Sequence, residues 1–329
     1  MTVNSEPVVI ATTPSASRSG LSRRTLIGAM TGLILAPGGK LLCGPARAQT
    51  TAHIFKVGAF EVSVISDGTL MMPPSLAMPG RDPEEIAAML GSGQLPTDSI
   101  TAQVNVTIVK TPEALILIDT GGGTDFVPTV GKLTDHLEAG GFAPDAFTHV
   151  IFTHAHADHL WGVIDPLDGG TRFTKARHIM TGVEFDYWSK PGRELEVPDM
   201  FKLMAVGTGR RLKALADRFE FRKPGDEIVP GVGLVDTAGH TPGHVSIMLS
   251  AGGEKVLVGG DVLNHAVASF VNPGWHWGSD MDPEGGVATR KRLLEQLAAD
   301  NVQLLGYHLP WPGLGRVERK DSAYRFVQG

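Results

Sequence analysis

Thr153-His154-Ala155-His156-Ala157-Asp158-His159 packs four metal-ligand side chains into the six residues from His154 to His159, directly after the apolar run Val150-Ile151-Phe152. Three imidazoles and a carboxylate crowded this closely are costly to desolvate unless a cation binds them. The apolar run reads as a short buried strand that delivers the cluster at its end, where ligands are held better than on a free loop. His154 and His156, two apart in an extended segment, lean to one side. Asp158 and His159 follow across a turn and can serve a second centre beside the first. A His-rich surface turn is the plain alternative, and mixed ligand types at fixed spacing weigh against it.

Three downstream segments repeat the order of apolar strand, sharp break and metal-compatible side chain. Gly233-Leu234-Val235 leads to Ala238-Gly239-His240-Thr241-Pro242-Gly243-His244. Val256-Leu257-Val258 runs through Gly259-Gly260 to Asp261, and Leu304-Leu305-Gly306-Tyr307 ends at His308. Such repetition suits a site built along one edge of a sheet sandwich, with small residues at the breaks letting neighbouring loops approach.

The His-x-His-x-Asp-His pattern of His154 to His159, completed by His240, Asp261 and His308, resembles the metallo-β-lactamase superfamily. The resemblance implies an α/β fold, a four-layer αβ/βα sandwich, with two divalent metal ions. It would place His154, His156 and His240 on one ion, Asp158, His159 and His308 on the other, and Asp261 between them as a bridge. Zinc is the expected metal, while Mn, Fe and Co suit the same ligand types. A closer likeness to the methyl parathion hydrolase branch is carried by Gly58-Ala59-Phe60-Glu61-Val62 with Ile65-Ser66-Asp67-Gly68-Thr69 and by Asp119-Thr120-Gly121 with Phe126. It is also carried by His308-Leu309-Pro310-Trp311-Pro312-Gly313 through Tyr324-Arg325-Phe326-Val327. That branch implies an apolar mouth over the metals, with Phe126, Trp188 and Phe201 as pocket residues, and a homodimer.

Two divalent ions roughly 3.5–4 Å apart can hold a hydroxide between them, each lowering the pKa of bound water toward about 7. Asp158 and Asp261 are the expected catalytic carboxylates, the first orienting the hydroxide and the second fixing the spacing of the pair. No Gly-x-Ser-x-Gly elbow occurs, and Cys43 is the only cysteine, so a covalent acyl-enzyme route lacks a nucleophile. The expected function is a dinuclear hydrolase using a metal-bridging hydroxide on phosphotriesters, aryl esters or lactones, with a small-molecule ester or lactone as partner. The alternatives are an acyl-homoserine-lactone lactonase and, in another class, a mononuclear iron persulfide dioxygenase. β-Lactam cleavage is disfavoured because those enzymes usually lack the bridge that Asp261 supplies. Glutathione thioester hydrolysis is disfavoured by export and by the missing basic pocket near the C-terminus. Trp161, Trp188, Trp275 and Trp277 cluster around the expected site loops and favour an apolar ester. Tyr187 and Tyr307 are candidates for a polar group over a lactone carbonyl. Asp67 and Asp119 are candidates for orienting imidazoles, and His244 for supporting His240.

Residues 1–48 read as a cleaved twin-arginine export signal: Ser22-Arg23-Arg24-Thr25-Leu26-Ile27, an apolar stretch to Pro37, then Ala46-Arg47-Ala48 before the cut. The apolar stretch is too short for a membrane span. The hydrolase domain is then 49–329, with a periplasmic or secreted location and no stable membrane anchor after cleavage. The signal holds five basic residues and one acidic, so the −6 of the whole chain becomes −10 for the remaining 281 residues. With no Lys/Arg-rich run, an acidic chain of this kind does not suit nucleic acid as partner. Loss of Cys43 with the signal leaves no disulfide, and stability rests on a core that this length can supply.

Local pattern predicts strands at Ile54–Val57 and Phe60–Ile65 turned at Asp67-Gly68, then Val104–Val109 and Ala114–Ile118. Helices are expected after Asp82-Pro83-Glu84-Glu85, over Gly131–Ala139, over Arg210–Phe219 and over Ala288–Ala299. Gly121-Gly122-Gly123 lacks the spacing of a phosphate cradle and reads as a turn.

Overall fold

The computed structural model describes residues 52–329. The export-signal expectation for residues 1–48 lies outside the described residues. Two seven-stranded sheets form the centre of the molecule. The first runs, in chain and in spatial order, β1 (Ala52–Val57), β2 (Phe60–Met72), β3 (Ile100–Lys110), β4 (Leu115–Ile118), β5 (His149–Ile151), β6 (Arg177–Thr181) and β7 (Phe219–Arg222). The second holds β8 (Glu227–Val229), β9 (Val232–Asp236), β10 (Val245–Ala251), β11 (Glu254–Val258), β12 (Gln303–Leu305), β13 (Leu314–Lys320) and β14 (Ala323–Gln328), again side by side in sequence order. Both sheets are mixed: β4 to β7 are parallel, as are β11 and β12, and the remaining pairs are antiparallel.

The helices are α1 (Pro74–Ala77), α2 (Pro83–Ser92), α3 (Leu133–Ala139), α4 (Ala157–Leu160), α5 (Gly182–Ser189), α6 (Lys202–Ala214), α7 (Ala268–Val271) and α8 (Pro283–Asp300). Alternation along the strands makes the layers. Ile116, Ile118, Ile151 and Ile179 of the first sheet meet Val245, Ile247, Val256 and Leu305 of the second in one buried cluster. The intervening Leu117, Val150 and Met180 face outward against Leu133, Leu137, Ala205 and Leu212 of α3 and α6. On the far side, Leu257 and Leu304 pack under Leu293, Leu294 and Leu297 of α8. Strands covered on both faces read as continuous apolar runs, which is why β4 and β11 stand out in the sequence. The result is the helix–sheet–sheet–helix sandwich of a metallo-β-lactamase fold. Among the described residues, no helix is long and apolar enough to cross a membrane.

Two local expectations are corrected. Asp67-Gly68 is not a hairpin turn: β2 continues to Met72 across a register shift between Ser66 and Gly68. The Asp67 carboxylate instead receives the backbone N–H groups of Gly122, Gly131 and Leu133, so the dipeptide makes a bulge that ties down another loop. The helix expected over Arg210–Phe219 starts at Lys202 and ends at Ala214, and Phe219 opens β7. The helix over Gly131–Ala139 begins at Leu133. Asp82 caps α2 as expected, accepting from the N–H of Glu84 at 2.8 Å.

Candidate metal centre

The seven residues follow strands at one edge of the sandwich, five of them on loops and Asp158 and His159 in the short α4. β5 leads through Thr153 to His154, His156, Asp158 and His159; β9 leads to His240, β11 to Asp261 and β12 to His308. The structure brings them into two buried groups, His154, His156, His240 and Asp261 in one and Asp158, His159 and His308 in the other. Within each group one ligand atom per residue lies within 4.8 Å of every other. Asp261 reaches both groups: Oδ1 is 3.0 Å from His159 Nε2, while Oδ2 is 3.3 Å from His240 Nε2 and 3.1 Å from His308 Nε2. Asp158 Oδ2 stands 3.3 Å from His308 Nε2.

The donor set fits a pair of divalent cations. His154 Nε2, His156 Nε2, His159 Nε2, Asp158 Oδ2 and Asp261 Oδ1 are buried without a hydrogen-bond partner. His159 Nε2 and Asp261 Oδ1 are close but not aligned as donor and acceptor. Buried polar atoms are nearly always satisfied, so a concentration of unpaired ones marks a place for a cation. Protonation follows the same logic. Burial, and then the neighbouring imidazoles, hold His154 well below the ordinary histidine range, and burial followed by His240 does so for His156. Burial also opposes charge on His159 and His308, but Asp261 foremost among the carboxylates holds both raised, His159 strongly. Asp261 is pressed well below the usual carboxylate range despite its burial, by His308, His159 and His240.

Outer partners orient the rings. His159 Nδ1 donates to Asp119 Oδ2 at 2.8 Å, and Asp119 also accepts from the N–H and hydroxyl of Thr153. His240 Nδ1 donates to Asp280 Oδ1 at 2.9 Å, and Arg290 holds the other oxygen of Asp280 at 2.9 Å. His308 Nδ1 donates to the carbonyl of Gln103. His244 Nε2 accepts the N–H of Asp261 at 3.0 Å, so it positions the carboxylate that faces both groups. Asp119 orients an imidazole; Asp67 does not, and holds the 121–133 loop instead.

Sequence reasoning missed Glu184 altogether. Its buried carboxylate accepts four donors: the N–H of Ala155 and Trp188 Nε1 on one oxygen, the Thr241 hydroxyl and the N–H of Gly243 on the other. It therefore joins the loop bearing His154 and His156 to the loop bearing His240. Asp280 and Arg290 were also missed, and no local pattern marks any of the three.

A cavity of about 230 Å³ opens onto both groups. His156, Asp158, Asp261 and His308 form its floor, and Leu70, Met72, Phe126, Phe201, Met204 and Trp277 form much of its wall. Trp188, expected in the pocket, does not line it. It is fully buried behind His156, its ring edge-on at 5.5 Å and its N–H held by Glu184. Phe126 and Phe201 do line it, and Trp277 joins them, while Trp161 and Trp275 stand outside. Neither tyrosine offers a hydroxyl to the cavity. Tyr307 lies against His159 and donates to the Asp158 carbonyl at 2.6 Å, and Tyr187 stacks under Arg193. Apart from the seven residues, the polar side chains on the wall are Asn264 and Ser279. Asn264 Nδ2 donates to the Asp261 carbonyl at 2.8 Å, leaving a buried Oδ1 with no partner.

Residues 100–306 match the family described as the metallo-beta-lactamase superfamily. Among curated proteins, an N-acyl homoserine lactonase of Bacillus thuringiensis is 26% identical over 215 residues, covering 57% of this chain and 74% of the relative. A probable metallo-hydrolase of Mycobacterium tuberculosis is 24% identical over 204 residues, 54% of this chain; the chain spans only 62% of that relative's length. Among solved structures, AidC, a dizinc quorum-quenching lactonase in complex with a product, superposes with a TM-score of 0.80 at 26% identity, over 85% of this chain and 99% of that one. AbOPH, a hydrolase in the beta lactamase superfamily, gives 0.79 at 26% identity, over 86% and 98%.

Proposed function

This chain belongs to the metallo-beta-lactamase superfamily and is one of its metal-dependent hydrolases, and from that premise we propose that it opens uncharged, apolar lactones with two zinc ions held by the seven residues above. The observation that carries the reading is the cavity: it touches both ligand groups, its wall is apolar, and it contains no Lys or Arg. Away from the metals, a carboxylate or phosphate elsewhere on the substrate would meet no cationic side chain on that wall and would lose its hydration without compensation. The likeness to a dizinc lactonase and to an N-acyl homoserine lactonase supports the same class.

When bound, the metals polarise the scissile carbonyl and supply a nucleophile from water at neutral pH. The rest falls to the chain's own side chains. Asp158, at the cavity floor, would hold metal through one carboxylate oxygen and with the other accepts the proton of the attacking water and returns it to the leaving alkoxide. Asp261, fixed by the ring of His244, keeps the two ligand groups in register. Asn264 Oδ1 accepts an N–H from the substrate beside the scissile bond, a donor that an acylamino lactone has and a phosphotriester lacks. The aromatic rings of Phe126, Phe201 and Trp277 favour a second reading, an aryl phosphotriester of the methyl parathion hydrolase type. A mononuclear iron site would account for one of the two ligand groups only.

The test is hydrolysis of an acyl-homoserine lactone, an aryl acetate and a dialkyl aryl phosphotriester by the zinc-loaded protein under one set of conditions. The lactone should show the highest kcat/KM, and Asn264→Leu should lower that value by about tenfold or more while sparing the triester. A dominant triester rate would overturn the lactone in favour of the second reading. Turnover unchanged in His154→Ala and Asp261→Ala would overturn both.

A further inference from the structure

We infer that Arg211, which lies outside the cavity, sets the cavity's width by clamping two of its walls together and is a specificity-determining residue. The inference rests on the proposed hydrolase site and adds a control on what can enter it. The two walls come from distant segments: Phe126 from the loop after β4, and Met204 from α6. Residues 124–127 make a single hydrogen bond to another element among the described residues, from Arg211 NH2 to Asp125 Oδ2 at 2.9 Å.

Arg211 itself is held by the helix that bears Met204. Its NH1 donates to the Gly207 carbonyl one turn earlier, and its guanidinium lies 4.1 Å above the Trp161 ring. Trp161 is the common post of the clamp. Its N–H donates to the Thr208 hydroxyl at 2.9 Å, and that hydroxyl donates on to the carbonyl of Ala155, between His154 and His156. Its edge meets the Phe126 ring at 5.6 Å and 68°. The helix approaches so closely at Gly207 that a Cβ there would lie 2.2 Å from the indole. α6 and Trp161 are thus fixed to the metal loop; the flanks of the Phe126 loop are held by Gly162 and Asp67, whereas its tip, residues 124–127, is hydrogen-bonded to α6 through Arg211 alone. Asp125 is 65% exposed, so its ion pair contributes little to global stability and can be removed without unfolding the chain.

Arg211→Ala should let the Phe126 wall swing out, and Arg211→Lys should rescue only part of the effect, since an ammonium does not lie flat on the indole and lacks the planar fork that bonds Gly207 and Asp125 at once. Two measurements test this. Across a series of neutral aryl esters from acetate to octanoate, Arg211→Ala should shift the long-to-short kcat/KM ratio by about fivefold or more, through KM, with metal content and kcat for the acetate kept. A uniform change along the series, or none, would overturn the clamp. The second readout needs no turnover. With Cys43→Ser and Met204→Cys, the thiol at 204 is alkylated by a small and by a bulky maleimide. Arg211→Ala should raise the bulky-to-small rate ratio, and an unchanged ratio would overturn the inference. A chain that hydrolyses neither lactone, aryl ester nor triester but shows the shifted alkylation ratio would sink the proposed function and leave the clamp standing.

Discussion

Glu184 shows how much a single buried carboxylate can organise. Burial raises the pKa of its carboxyl, against which the Thr241 hydroxyl and then the other donors act. A glutamine of the same shape has one acceptor oxygen, so its amide would face two of the four donors with N–H against N–H. Glu184→Gln should therefore cost about 2–4 kcal/mol in urea denaturation. It should also weaken zinc binding by about ten- to a hundredfold in chelator competition, because two ligand loops lose their common anchor. Unchanged zinc affinity would show that the loops hold their places without it. His178 makes a different prediction at the same scale. Buried against Phe152, it donates from Nδ1 to the Ala176 carbonyl and shares a hydrogen bond at Nε2 with the Thr171 hydroxyl, with no carboxylate beside it to support a charge. Burial lowers its pKa to about 4. A histidine depressed in the fold contributes stability above its unfolded pKa of about 6.5 and loses it as pH falls toward 4, here on the order of 3 kcal/mol. Denaturation at pH 7 and pH 4.5 should show wild type losing more stability than His178→Asn; equal losses would refute the assignment.

At the scale of elements, β2 and α6 are where local pattern and structure part. Asp-Gly between apolar runs is the ordinary signature of a tight turn. Here Gly68 has φ of 129°, and a Cβ would lie 2.0 Å from the Thr129 carbonyl oxygen, so the dipeptide is a bulge pressed against the next loop. Gly68→Ala should destabilise the protein by at least about 2 kcal/mol, read as a lower denaturation midpoint. A neutral effect would mean that the bulge is not needed for that approach. The first half of α6, Lys202-Leu203-Met204-Ala205-Val206-Gly207-Thr208-Gly209, holds two glycines and a β-branched pair, poor material for a helix by propensity. It is helical because Ala205, Thr208 and Leu212 are buried and Gly207 admits the Trp161 ring. By contrast, α2 carries an Asp cap and Pro at its first turn, and its start was legible in the residues; α8 has the same signals at Asp282-Pro283 but was expected only from Ala288, because its apolar spacing begins later than its cap.

For the whole molecule, the central prediction is that metal and fold are linked. Seven buried ligands from four separate chain segments face one another, and a cation that binds only the folded state adds stability by mass action. That gain is about 2.7 kcal/mol when free metal is a hundred times Kd. Dialysis against a strong chelator should lower Tm, and zinc should restore it; a Tm indifferent to both would remove the metal centre from this fold. Acid should weaken the centre too, because protons compete for His159 and His308, whose affinity for them the carboxylates raise.

The residues by themselves picked out the seven side chains that the fold gathers into two buried groups, the strands that deliver them and the class of chemistry, because those signals are local: an apolar run, a break, a donor at fixed spacing. Tertiary structure alone decided that Glu184, Asp280 and Arg290 support the residues of the two groups and that Asn264 lines the cavity above them. It alone decided that Trp188 stands behind His156 and that Arg211 spans two walls. Each of these roles depends on partners far apart in the chain, 40 residues for Asp280 and His240 and 86 for Arg211 and Asp125. Periodicity reports that a side chain is buried. Which group it meets there is fixed only when the sheets pack and the loops at their edge converge.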